Sequence, residues 1–172
     1  MRRLAASFLL LGFLLPAAAV LGAGGKVCKV LPQFLDNKGR NSLSPSLYER
    51  DAYQHYLRAR PGLRRSLRLQ VLYKARDLNW EQARLRAELR GLRTNSLETV
   101  SLEQPVKKSG WFGNWAHFDI TGDAYEKFGE LAAWRVTLWE GDRQLSEQES
   151  FLWSGVPSSS PPGSQAPTAV TR

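Results

Sequence analysis

The chain has 172 residues, enough for one domain and hardly two. Its single cysteine, Cys28, excludes an internal disulfide, so burial alone must hold the fold. Lys and Arg outnumber Asp and Glu by 24 to 16, a formal charge of +8; this suits contact with anionic lipid, glycan or wall polymer but identifies no partner.

The N-terminus has the build of a secretory signal peptide over residues 1–23. Arg2 and Arg3 precede an apolar run, Leu4 to Leu15, and Pro16 then leads into small residues ending at Ala23. Cleavage after Ala19, Gly22 or Ala23 stays open. Left uncleaved, the run is long enough to span a bilayer, and membrane contact is expected only in that case. The expected location is therefore secreted or periplasmic. Lys26 and Val27 before Cys28 do not suit a lipidated cysteine, which leaves Cys28 as a buried strand thiol or an intermolecular disulfide. Without Arg2 and Arg3 the balance is 22 basic residues to 16 acidic.

Lys26 to Leu35 reads as a first strand, with Pro32 marking an edge or bend. Asp36 to Arg40 is a turn. A helix follows, with Pro45 in its first turn and Ser46 and Glu49 spaced as a capping box. Tyr48, Ala52 and Tyr56, with Tyr53 and Leu57, give it an aromatic side expected to pack on the sheet, and Pro61-Gly62 ends it. Leu67, Leu69, Val71 and Tyr73 then alternate as a largely buried strand.

Trp80 to Leu92 fits two templates. Leu85, Ala87 and Leu89 alternate with charged residues as in a half-exposed strand; Leu78, Leu85, Leu89 and Leu92 also make a helical stripe. Flanking strand signals favour strand. Thr99 to Pro105 and Ala116 to Thr121 are short strands, and Tyr125 to Gly129 is a loop or one helical turn. Ala132 to Trp139 is a strand with Trp134, Val136 and Leu138 facing the core. A hairpin turn around Gly141-Asp142 leads into a last, charged strand from Gln144 to Trp153, expected at an edge. There Trp139 and Trp153 can stack across the pair. The Pro/Ser-rich stretch 154–172 reads as a disordered tail, leaving residues 26–153 as the folded unit.

Seven strand candidates and one helix between the first two predict a mainly β fold, an antiparallel sandwich with one inserted amphipathic helix. The closing segment, AWRVTLWEGDRQLSEQESFLW after Asp123-Ala124-Tyr125, resembles the last strands of immunoglobulin-like and fibronectin-III-like domains, and uncharacterised secreted bacterial proteins. The paired cysteines of immunoglobulin domains are absent, and Tyr125 lies too far ahead of the Val136 strand for a tyrosine corner. The resemblance implies a fold and transfers no site.

No Gly-x-Ser-x-Gly elbow is present, and the two histidines are His55 and His117. His117, Asp119 and Asp123 are close in sequence, as are Glu126 and Glu130, but exposed acids at strand ends explain them equally well. No catalytic, cofactor-binding or metal-ligating residue is assigned, and the chain is read as a non-enzyme. Nucleic acid is not expected, since export is implied and no nucleic-acid motif occurs.

Two features remain as candidate binding elements. Arg58, Arg60, Arg64, Arg65 and Arg68 cluster around Pro61-Gly62, and Arg84, Arg86, Arg90 and Arg93 form a second basic set that adjoins the first if both segments are strands. Of these, Arg64, Arg65 and Arg68 are the candidate anion contacts. Trp111, Phe112 and Trp115 lie in a glycine-containing loop after Lys107 and Lys108, either as a plug over the sandwich end or as an exposed patch. The expected function is an exported, non-enzymatic sandwich. It would bind another envelope protein, or an anionic polymer or glycan, through this loop and basic patch. A carbohydrate-binding accessory module is the alternative.

Overall fold

Two-residue alternation dominates the chain, and the backbone answers it with seven antiparallel strands. The computed structural model describes residues 24–93, 96–108 and 110–154, so the expected signal segment and the tail past Ser154 lie outside the described residues. The strands are β1 (Gly24–Asp36), β2 (Arg64–Arg76), β3 (Ala83–Arg93), β4 (Ser96–Pro105), β5 (Asn114–Thr121), β6 (Glu130–Glu140) and β7 (Arg143–Glu149). Helix α1 (Leu47–Arg58) separates β1 from β2, and α2 (Gly122–Phe128) separates β5 from β6.

The strands form two sheets, ordered β1-β2-β5 and β4-β3-β6-β7, with every pairing antiparallel. One sheet turns Leu67, Leu69, Val71, Tyr73, Phe118 and Ile120 inward; the other answers with Leu85, Ala87, Leu89, Val136 and Leu138. All of these are buried, each aliphatic side chain contributing roughly 1.5–3 kcal/mol. The protein is thus a mainly β sandwich, and the ambiguous Trp80–Leu92 segment supplies its central strand β3. Arg84, Arg86 and Glu88 alternate outward from that strand while Leu85, Ala87 and Leu89 enter the core. Charge on one side and aliphatics on the other favour a half-buried strand whatever the helix propensity of Ala, Leu, Glu and Arg.

The β1 edge is shielded. Val27 N donates to Ser146 Oγ at 3.0 Å, closing the start of β1 onto β7. Further along β1, α1 lies over the edge. Pro32 sits on this edge strand, where a missing N–H is tolerated.

Several local expectations are corrected. Helix α1 begins at Leu47, after Pro45, and its N-cap Ser46 makes no side-chain capping bond, so the expected capping box does not form. The aromatic stripe does not face the sheet: Tyr48 is 80% exposed and Tyr56 41%. The Tyr53 and Leu57 part of the expected side does turn inward, Leu57 buried and Tyr53 half-buried, together with Gln54, because the Gln54 amide is bonded to the β1 edge and that contact sets the helix rotation. Of the two readings open for Tyr125 to Gly129 the helical one holds: Tyr125 to Phe128 lie in the short helix α2, Gly129 caps it, and Phe128 is buried against Gly91. Strand β7 ends at Glu149, and Trp153 folds back in the turn that follows. Trp139 and Trp153 therefore do not stack on each other. Trp153 lies between the Arg90 and Arg135 guanidinium groups, at 3.8 and 4.8 Å from its ring centre, and its carbonyl accepts from Arg90 Nη1 at 2.8 Å. Trp139 instead donates to Thr137 Oγ1 at 2.7 Å and faces Arg86.

Candidate functional site

The aromatic loop leaves β4 and enters β5 at one pole of the sandwich. Its backbone is held from beneath. The Tyr73 hydroxyl accepts from Lys107 N at 3.0 Å, and Asn114 Nδ2 donates to the carbonyls of Lys107 and Lys108. Gly113 takes a φ of 87° and lies so near β2 that a Cβ would come within 2.7 Å of the Tyr73 carbonyl oxygen, so only glycine fits there.

On this pinned base the aromatics point outward. Trp111 is 76% exposed, Phe112 86% and Trp115 51%. The plug arrangement is excluded, and the patch arrangement is the one observed. Trp111 and Phe112 lie in the loop, whereas Trp115, expected there as well, belongs to β5 and stands opposite Leu72 of β2. All three forgo burial that would stabilise the fold.

The basic residues beside this loop are not those expected from sequence. Arg64 is buried: Nε donates to Leu57 O at 2.7 Å, Nη1 to both Glu130 carboxylate oxygens at 2.5 and 2.7 Å, and Nη2 to Arg58 O, with the guanidinium 4.2 Å above the Phe34 ring. It caps the end of α1 and ties it to β6, so it offers nothing to a ligand. Arg68 faces Asp119 across β2 and β5 in a bidentate pair, both bonds 2.7 Å. Arg65 is exposed but stands near the opposite pole, about 36 Å along β2 from Arg76 at roughly 3.3 Å per residue. The second basic set lies on β3, in the other sheet.

What the fold does bring to the aromatic loop is a set of cations the sequence did not single out. Arg76 lies 5.5 Å over the Trp111 ring. Lys74 precedes it on the same outward face of β2 and lies directly opposite Lys26 of β1. One row further in, Lys29, Leu72 and Trp115 stand side by side across all three strands. The period-two rule extended past Tyr73 would have placed Lys74 and Arg76 on this face; reading β2 as ending at Tyr73 hid them.

A second concavity, of ≈ 360 Å³, lies near the opposite pole and is lined by Asp36, Arg40, Tyr53, Tyr56, Leu63 and Arg65 among others. Asp36 is buried and accepts from Lys38 N, Arg40 N, Arg40 Nε and the Tyr53 hydroxyl, at 2.7–2.9 Å. Burial pushes the carboxyl up, but these hydrogen bonds outweigh it and hold the group well below the usual carboxylate range. The polar groups of this wall satisfy one another and fix the turn between β1 and α1, whereas Trp111, Phe112 and Trp115 stay exposed. The loop is therefore the stronger candidate.

The remaining sequence candidates are scattered. His117 is exposed on β5, both Asp119 oxygens are engaged by Arg68, and Asp123 belongs to α2. Among the described residues no group of three or more His, Cys, Asp and Glu side chains converges as metal ligands would. Cys28 is half-buried at the bulge of β1, with Sγ 3.7 Å from Lys26 O. No described helix is long and apolar enough to cross a membrane. No protein-family model, curated protein or solved structure matches the chain.

Proposed function

We propose that the protein is an exported, non-enzymatic binding module that docks on a cell-envelope macromolecule through Trp111 and Phe112 of the loop and the adjoining Trp115 of β5. The single observation that carries this reading is the exposure of all three aromatics on a backbone fixed by Tyr73, Asn114 and Gly113. A rigid platform loses little conformational freedom on binding, which favours affinity. The positive charge for an anionic partner comes from Lys74 and Arg76 in place of Arg64 and Arg68.

Export is supported by the order of charges, apolar run and small residues in 1–23. An immunoglobulin-like assignment is supported by the connectivity. The first, second and fifth strands share one sheet, and the third, sixth and seventh share the other. The fourth strand pairs with the third, where a constant-type immunoglobulin domain would place it in the first sheet.

The test compares the full chain with a Trp111→Ser, Phe112→Ser, Trp115→Ser variant. Exposed positions leave the unfolding midpoint essentially unchanged. Binding to purified envelope components, with peptidoglycan, soluble glycans and lipid vesicles in separate arms, falls at least tenfold, the scale of about 1.4 kcal/mol. Equal retention of wild type and variant in every arm overturns the reading. The carbohydrate-module alternative uses the same tryptophans; glycan binding lost on Trp115→Ala, with no response to peptidoglycan or vesicles, selects it.

A further inference from the structure

We propose that the surface this loop docks on is an anionic lipid bilayer, with Trp111 and Phe112 seated at headgroup depth and a rim of lysines and Arg76 against the lipid phosphates; the inference rests on the loop being the docking site. It differs from the sequence expectation, in which membrane contact came only through an uncleaved N-terminal segment.

The charge pattern points to a planar anionic surface. Lys26 and Lys74 stand directly opposite each other across β1 and β2. Like charges in that position weaken a sheet, so the pair costs the fold stability. Neither residue forms an ion pair among the described residues, and the same holds for Lys29, Arg76, Lys107 and Lys108. Elsewhere, Arg40, Arg64, Arg68, Arg86, Arg135 and Arg143 are each held by a carboxylate, while Lys38, Arg58, Arg65 and Lys127 also form no ion pair among the described residues. Next to the rim cations, Asp77 is the acidic neighbour in sequence, following Arg76.

The apolar part has matching chemistry. Trp and Phe at a protruding tip, ringed by Lys and Arg, suit the boundary between headgroups and acyl chains. A sugar platform would want free amide and carboxylate partners beside the rings; here the Asn114 amide nitrogen is taken up by the Lys107 and Lys108 carbonyls, and Arg76 lies over Trp111. A folded protein partner would need a pocket shaped to the tip, whereas a bilayer needs only fluidity.

Position supplies an independent observation. Gly24, the first residue of β1, pairs with Arg76, which covers Trp111. The apolar run ending at Ala23 therefore joins the domain at the same pole as the loop. A chain delivered to, or held at, a membrane by that run presents this pole to the lipid.

The experiment uses the full chain and two vesicle types, phosphatidylcholine alone and phosphatidylcholine mixed with phosphatidylglycerol. The apolar N-terminal run is common to every variant, so differences between variants report the domain. Lys74→Glu replaces the Lys26–Lys74 repulsion with an attraction. It is expected to raise the unfolding midpoint while lowering affinity for the anionic vesicles at least about fivefold, the effect of one basic residue near the surface. A loss of affinity with a gain in stability cannot come from misfolding. Acyl-brominated phosphatidylglycerol quenches the tryptophan fluorescence of wild type, and Trp111→Phe with Trp115→Phe removes most of that quenching. Unchanged vesicle affinity in Lys74→Glu, or unchanged quenching in the double Phe variant, overturns the lipid assignment. If peptidoglycan or glycan binding is lost on the loop substitutions while vesicle binding is not, lipid is overturned and docking by the loop stands. If no substrate distinguishes wild type from the loop variants, both fall.

Discussion

Gln54 of α1 pairs with Phe34 of β1 as a neighbouring strand would. Phe34 N donates to Gln54 Oε1 at 2.8 Å, and Gln54 Nε2 donates to Phe34 O at 2.9 Å and to Asn41 O at 2.8 Å. The amide is 4% exposed, so the three bonds are made away from water. One side chain satisfies the outward backbone of an edge strand and fixes the face that α1 turns to the sheet.

Gln54→Leu keeps the volume and removes all three bonds. Each buried group left unsatisfied costs about 1–3 kcal/mol, so the loss is expected near 3 kcal/mol in denaturant unfolding. A change under about 0.5 kcal/mol, the scale of ordinary surface substitutions, would show that the edge does not depend on this amide.

Arg64 replaces solvent at the C-terminal end of α1, where its guanidinium meets Leu57 O, Arg58 O and Glu130 at once. Because Glu130 is itself largely exposed, the ion pair adds little and the carbonyl contacts carry the effect. Arg64→Met is expected to cost about 2 kcal/mol. Arg64→Lys should recover less than half, since an ammonium cannot fork between three acceptors. Full recovery by lysine would reduce the role of Arg64 to its charge.

Asp36 makes stability acid-sensitive. Its carboxyl is held below the ordinary value, with burial acting against the shift and the bonds from Arg40, Tyr53 and Lys38 prevailing. The folded state therefore binds this proton less tightly than the unfolded chain does. The stabilisation is complete above the unfolded value, about 4, and is lost as pH falls below it towards the folded value. Unfolding curves from neutral pH downward should show the decline, and Asp36→Asn should flatten it while lowering stability at neutral pH. A variant with the same acid limb as wild type assigns the decline to other carboxylates.

Trp153 lies beyond the last strand yet is buried between two guanidinium groups. Trp153→Ala is expected to cost about 3–5 kcal/mol, as for other buried large aromatics. A loss within 1 kcal/mol, readable from the urea midpoint, would place the end of the folded unit at Glu149.

Gly91 lies where β3 passes α2, and a Cβ there would collide with Phe128 O and the Phe128 ring. Gly91→Ala should cost roughly 1–3 kcal/mol by overpacking. If hydrogen exchange of the α2 amides is unchanged in that variant, the helix is seated by something other than this contact.

The parts that were legible in sequence are those set by neighbours along the chain. Alternation in Leu67–Tyr73, Leu85–Leu89 and Trp134–Leu138 yields strands because side chains two apart share a face. Gly141-Asp142 makes its hairpin, and α1 stops before Pro61. Even there, alternation stops marking a strand once its apolar residues end. Lys74 and Arg76 continue β2, though no buried residue after Ala75 announces it.

The chain order of charges, apolar runs and turns thus determined the alternating strands and the first helix, and marked the aromatic stretch ahead of β5. Tertiary structure alone decided which arginines were spent. Arg64 meets Glu130 sixty-six residues away and Arg68 meets Asp119 fifty-one away, and no spacing rule reaches that far. It also decided that Tyr48 faces water, that Trp153 leaves its strand for Arg90, and that Lys26, Lys74 and Arg76 gather beside Trp111. Register between strands distant in sequence assembles a surface, because each strand's local pattern says which face a side chain takes but not which neighbour it will meet.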